Sequence, residues 1–184
     1  MMEDLAMQIL ELLMNSIQAG ASRIVLKILD SAAKDLISIE LEDNGCGMSE
    51  EMVARVTDPF TTSRKTRKVG LGVAFFKGMT ELCNGDFEIK SRLGEGTVIN
   101  AGLQRSHMDT PPMGDLGQMI MYCIQANEAC DYSLSYATDE GEFIFESREI
   151  REIMEGVSLN EPEVLIWIRE YVDENISNLK EGSL

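Results

Sequence analysis

The sequence predicts an α+β fold: a two-layer α/β sandwich with helices on one face of a mixed sheet, followed by a small C-terminal α/β domain. Three observations predict it. Apolar residues recur at helical spacing in some segments and alternate in others, in the order helix, two strands, short helix, loop, helix, two strands. The stretch RSHMDTPPMGD, with two adjacent prolines, then interrupts the pattern. The charge balance changes at the same place, since residues 1–104 carry 15 acids and 11 bases while residues 105–184 carry 17 acids and 5 bases. The expected division is a first domain over 1–104, a linker over 105–112 and a small acidic domain over 113–184.

From Glu3 to Ala19, the side chains of Leu5, Ile9, Leu12, Leu13 and Ile17 fall on one helical face, and Gly20 follows where a C-terminal cap belongs. RIVLKILD and LISIELED, on either side of SAAK, predict a hairpin of strands at 23–30 and 36–43. SEEMVARV reads as a short helix that Ser49 can cap, with Glu51 near its positive end. GLGVAFFKGMTELC is a second long helix, and DFEIKSR and TVINAGL are strands joined by LGEG. Beyond the linker, LGQMIMYCIQANEA is helical, DYSLSYA and GEFIFES are strands around a TDEG turn, and helices are expected at 147–155 and 161–179. On the last helix Trp167, Ile168, Tyr171, Val172 and Ile176 form a stripe expected in the core.

With 44% hydrophobic and 26% charged residues and four prolines in 184, the chain has the composition of a folded globular protein. A formal net charge of −16 disfavours nucleic acid and anionic membrane as partners, leaving a nucleotide or a protein with a basic surface. No apolar run approaches the roughly 20 residues of a membrane span, and the N-terminus MMEDLAMQIL is acidic and amphipathic, so a cytoplasmic location is expected. Cys46, Cys83, Cys123 and Cys130 form no C-x-x-C pair and have no neighbouring His, which excludes a zinc site and a redox pair and predicts reduced thiols. His107, the one histidine, is expected to be an exposed linker residue.

Four constellations carry chemistry. Glu11 and Asn15 stand four apart on one helix face, so a carboxylate that can deprotonate a nucleophile and an amide oxygen that can ligate Mg²⁺ project into the same space. LEDNGCGMS puts Asp43 at a strand end, where it can accept a hydrogen bond from an exocyclic amine, followed by Gly45 and Gly47, whose backbone a ligand can approach. DPFTTSRKTRKVGLG joins hydroxyls and bases to the Gly70-Leu71-Gly72 opening of a helix, the ingredients of a phosphate site. LGEGT, with Gly94, Gly96 and Thr97, is by itself a hairpin turn.

Taken in order, these pieces resemble the four motifs of the gyrase, heat-shock chaperone, histidine kinase and MutL (GHKL) superfamily. Glu11 and Asn15 match the N box, Asp43 to Gly47 the G1 box, Gly70 to Gly72 the G2 box and Gly94 to Thr97 the G3 box. The resemblance covers residues 1–104 and implies the superfamily's Bergerat ATP-binding fold, with ATP and Mg²⁺ as cofactors. It implies that Asn15 ligates Mg²⁺, that Asp43 binds the adenine amine with help from Thr97, and that Gly45, Gly47 and Met48 approach the nucleotide. It places Phe60, Thr61, Thr62 and Lys65 in the lid over ATP and Gly70, Leu71 and Gly72 at the phosphates. NSIQAGAS and DNGCGMS look like the MutL branch, whereas the segment from Asp58 to Ile99 is similar to the catalytic domain of histidine kinases. Lys68 stands where that kinase pattern has its first glycine, and the lid is short.

The resemblance implies one of two functions. The first is an ATPase or protein kinase that acts on a partner in trans, with Glu11 as the catalytic base; the acidity of residues 113–184, outside the resemblance, makes them the expected contact with that partner. The second is a signalling switch in which ATP orders the lid and exposes or hides an interaction surface without useful turnover.

Overall fold

The computed structural model describes residues 4–58, Phe60 and residues 71–181. Its elements run α1 (Leu5–Gln18), β1 (Arg23–Ser31), β2 (Leu36–Asp43), α2 (Glu50–Val56), α3 (Leu71–Leu82), β3 (Asp86–Arg92), β4 (Gly96–Gln104), α4 (Leu116–Ala126), β5 (Asp131–Thr138), β6 (Glu142–Glu146), α5 (Ser147–Ile153) and α6 (Pro162–Glu181). The helix at the start begins one residue after Asp4, whose carboxylate accepts from the Met7 N–H and satisfies a donor the helix leaves unpaired. Ser49 caps α2 in the same way.

Six strands form one sheet in the order β3-β4-β2-β1-β5-β6, antiparallel everywhere except between β1 and β5. Alternation decides which face is covered. Ile24, Leu26 and Ile28 of β1 and Ile37, Ile39 and Leu41 of β2 are buried, while Lys27 and Glu40, paired between them on the other face, form a salt bridge in solvent. Over the apolar face α1 lies against α3 on one side and α4 on the other, and α4 packs on α6. Leu5, Ile9, Leu12 and Leu13 supply the buried stripe of α1, so the fold is the two-layer sandwich that the periodicities predict.

The expected boundary at 105–112 is not a break in this architecture. β5 lies beside β1 over eight register pairs, from Arg23↔Asp131 to Asp30↔Thr138, so the C-terminal segment continues the sheet instead of building its own. The proline-containing run docks on the start of α1, where the Leu5 and Ala6 N–H groups donate to the Pro112 and Met113 carbonyls, both at 2.9 Å. Tyr136 Oη donates to Asp30 at 2.9 Å, and Ser31 Oγ donates to Asp139, whose carboxyl this hydroxyl and the Ala33 N–H hold below the usual range. The physical reason is burial. In RIVLKIL five of seven residues are apolar, more than a strand with one wet face and one neighbour needs, and β5 with α4 supplies the missing cover.

Two smaller expectations are corrected. Ile168, Val172 and Ile176 fill the core, but Trp167 turns about 100° from that face and is 43% exposed. His107 is half-buried, with its Nδ1 accepting from the Asp109 N–H. Among the cysteines, Cys83, Cys123 and Cys130 are buried and burial pushes the Cys123 thiol up to about 12, while Cys46 is exposed.

Candidate functional site

Asp43 ends β2 between two neighbours, with Thr97 of β4 as its partner across the ladder. Its carboxylate is 6% exposed and held from two sides: Ser16 Oγ of α1 donates to one oxygen at 2.6 Å, and the Gly45 N–H donates to the other at 2.8 Å. Beside it opens a cavity of about 820 Å³ between the sheet and the helices α1, α2 and α3. Its walls are mostly apolar, with Met52 and Val56 from α2, Val73 from α3, and Ile89 and Ile99 from the sheet; Asn15, Asp43 and Thr97 interrupt them with polar groups.

The loop after Asp43 is tied to three elements. Asn44 turns its side chain outward, accepting from the Ser22 and Arg23 N–H groups at 2.9 Å each. The Cys46 N–H donates to Ala19 O at 2.9 Å, and the Gly94 N–H donates to Cys46 O at 2.7 Å. The Met48 N–H donates to Ser91 Oγ at 2.8 Å, and that hydroxyl also lies 2.8 Å from Thr97 Oγ1. The G1 loop and the β3–β4 turn thus form one rigid floor. Gly47 makes this possible: its φ is +67°, and a Cβ there would run into the Arg92 carbonyl. Gly47→Ala is therefore expected to cost about 2–3 kcal/mol, lowering Tm by on the order of 5–10 °C for a chain of this length, as a thermal melt would read. A Tm within a degree or two of the parent would show that the loop has room to move.

Glu11 is exposed, one turn before Asn15, at the rim of the cavity and not in its wall. It meets the start of α3: a Cβ on Gly72 would come within 2.9 Å of Glu11 Oε2, so the absence of a side chain at Gly72 leaves space for the carboxylate. The structure therefore gathers Asn15, Asp43, Gly47, Met48 and Thr97 around one cavity, with Gly45 behind Asp43 and Glu11 and Gly72 together at the rim. Leu71 is half-exposed and Phe60 is 95% exposed, neither of them in the wall. Thr61, Thr62, Lys65 and Gly70 lie outside the described residues. Among the described residues no cluster of three acidic, His or Cys side chains could hold a metal ion without help from a ligand.

Sequence reasoning missed Ser16 and Ser91. Ser16 had a readable signal, because a serine on the buried face one turn after Leu12 and Leu13 needs a polar partner in the core. Ser91 had none, since an alternating strand accommodates a serine on either face. The apolar wall residues were readable only as core.

A buried acid at a strand end, a glycine-tightened loop tied to a hairpin turn, and an apolar cavity roofed by helices match what the resemblance to the GHKL superfamily implies. The profile of the family described as histidine kinase-, DNA gyrase B-, and HSP90-like ATPase matches residues 3–107, more than half of the chain, and the chain belongs to that family. It is 33% identical over 92 residues to the sensor histidine kinase YvrG of Bacillus subtilis, a match that covers 48% of this chain and 16% of the relative. It is 32% identical over 110 residues to the non-motile and phage-resistance protein of Caulobacter vibrioides, covering 55% of this chain and 13% of that one. The chain thus spans about one-seventh of the length of these relatives. The ADP complex of the Aquifex aeolicus MutL ATPase domain has a similar fold, with a TM-score of 0.52 at 14% identity over 84% of this chain and 70% of that one. That coverage reaches past residue 107, so the shared fold includes part of the C-terminal half. Among the described residues no helix is long and apolar enough to cross a membrane.

Proposed function

We propose that the chain binds ATP with Mg²⁺ in this cavity and acts as a histidine-kinase-like ATPase or phosphotransferase on a partner protein in trans. The observation that carries the reading is the unsaturated Asp43 carboxylate facing an apolar cavity. Ser16 and the Gly45 N–H occupy one acceptor site on each oxygen, and a carboxylate has about four in all, so acceptor capacity remains for an exocyclic amine. Adenine matches both features, with flat apolar faces for Val73, Ile89 and Ile99 and one amine for Asp43. Asn15 offers a single amide oxygen, which fits Mg²⁺ held chiefly by phosphates, as this ion prefers one or two protein ligands. Glu11, wet and adjacent to the helix start at Gly72, is placed to take a proton from a water or an acceptor hydroxyl.

The test is turnover of labelled ATP by the purified chain, alone and with a lysate, beside calorimetric ATP affinity. Glu11→Ala is expected to leave affinity near the parental value and lower turnover by about 100-fold, because general-base assistance acts on the transition state. Equal turnover by the two proteins would remove Glu11 from the chemistry. A parent that binds ATP but yields neither free phosphate nor phosphoprotein would establish the binding switch instead.

A further inference from the structure

β6 ends the sheet, and among the described residues no other strand pairs with its outer edge. Its ladder with β5 sets Tyr136↔Phe143, Ser135↔Ile144 and Leu134↔Phe145, and the Thr138 N–H donates to Gly141 O at 2.8 Å. Backbone groups of alternate residues in such a ladder point to opposite sides. Gly141, Phe143 and Phe145 therefore face β5, and Glu142 and Ile144 turn their N–H and C=O groups to the free edge.

The side chains along this edge form two rows. On the open face of the sheet Ile144 is 56% exposed between Glu142 and Glu146, which lie two residues to either side. On the helix side Phe143 meets Tyr171 edge-on at 5.7 Å, and Tyr171 stacks on Trp167 at 5.1 Å, giving an aromatic shelf whose outer member is 43% exposed. Glu163, Glu170 and Glu174 of α6, all exposed, stand one turn along the helix from Trp167 or Tyr171.

Charge selects the occupant. A second copy paired antiparallel about Ile144 would set Glu142 directly against Glu146 twice, and shifting the register by two sets one of these acids against Ile144. Like charges opposite one another destabilise a ladder, and an acid opposite an exposed isoleucine gains nothing. Lys or Arg opposite Glu142 and Glu146, with an apolar residue between them opposite Ile144, reverses every one of these contacts.

We propose that the outer edge of β6 is a docking site for an extended segment of a partner protein that alternates basic and apolar side chains, added to the sheet as its next strand. Main-chain hydrogen bonds to Glu142 and Ile144 supply affinity, the flanking acids select basic residues, and the Trp167–Tyr171 shelf receives the side chains that point the other way, cations included. This names the partner class for the in-trans reading above, but docking does not depend on nucleotide: β5 and β1 separate β6 from β2, the nearest strand in the cavity wall.

The test is fluorescence anisotropy of the labelled peptide Thr-Lys-Thr-Val-Thr-Lys-Thr titrated with the whole chain, without nucleotide, so that its failure leaves the ATP reading standing. Saturable binding is expected, lost when both Lys are replaced by Glu. Ile144→Pro should weaken binding at least about 10-fold, because it removes an outward N–H that β5 does not use. Trp167→Ala, on the exposed shelf, should weaken it by roughly 3-fold or more, because the Thr side chains that point to the helix side lose its apolar surface, and it serves if the proline variant melts early. No saturation at about millimolar chain, equal binding of the Glu peptide, or full affinity in both variants of the chain overturns the proposal. So does sedimentation of the chain as a dimer that Ile144→Pro dissolves, which would give the edge to a second copy.

Discussion

Replacing Asp43 with Ala is expected to lower ATP affinity by about 100- to 10,000-fold. The estimate follows from what the cavity loses. A hydrogen bond to an ionised acceptor contributes about 1.5–3 kcal/mol, and an amine buried in an apolar cavity without its acceptor costs about 1–3 kcal/mol more. At about 1.4 kcal/mol per decade, that sum is roughly two to four orders of magnitude in Kd. Ser16 Oγ and the Gly45 N–H, now bonded to the carboxylate at 2.6 and 2.8 Å, would also be left facing the ligand as donors, the same sense as the amine. Asp43→Asn sharpens the point, because it keeps the volume and one oxygen but puts an N–H₂ group where the other stood, against the Ser16 or Gly45 donor or the amine, and it should bind well below the parent. Calorimetry with ATP and Mg²⁺ reads both, with a thermal melt to show that the sheet persists. Parental affinity in either variant would place the nucleobase elsewhere.

Most of this site was legible because its parts are local. Asp43 and Gly47 are four residues apart, Glu11 and Asn15 four apart on one helix, and Gly94 to Thr97 one turn, and the resemblance of this order to the GHKL motifs groups them. The contacts that hold them were not legible, because they join segments distant in sequence: Ser16 to Asp43, Ser91 to Met48, Gly72 to Glu11. Local periodicity likewise found every strand, and the pairing of β5 with β1 escaped it, since a parallel neighbour reached through a crossover leaves no turn to read. The paired prolines and the jump in acidity around residue 105 looked like a border between domains. They mark a change of surface: the acids of the second half sit on α5, α6, the open face of the sheet and the connecting loops, while its apolar residues Leu116, Ile120, Leu134 and Tyr136 complete the core that α1 and β1 begin.

The same packing sets the largest effect expected of any change to the chain. Deleting residues 105–184 should abolish cooperative folding and, with it, ATP binding. The deletion strips β1 of its neighbour along eight register pairs and turns a central strand into an apolar edge, the arrangement that natural sheets avoid because it aggregates. It uncovers the side of α1 that meets α4 and leaves the Leu5 and Ala6 N–H groups without the Pro112 and Met113 carbonyls. It also removes Tyr136 and Asp139, the partners of Asp30 and Ser31 at the far end of β1. Each fully uncovered Leu or Ile forfeits about 1.5–3 kcal/mol of burial, so exposing only a few of them equals the whole stability of an ordinary domain, about 5–15 kcal/mol. α1 carries Asn15 and Ser16, and its displacement takes the roof and the Asp43 clamp with it. The amide spectrum of residues 1–104 should accordingly be collapsed, with no sharp melting transition and no heat on titration with ATP. A dispersed spectrum together with parental ATP affinity would make residue 104 a true domain end, with β5 and α4 packed onto a unit already complete without them.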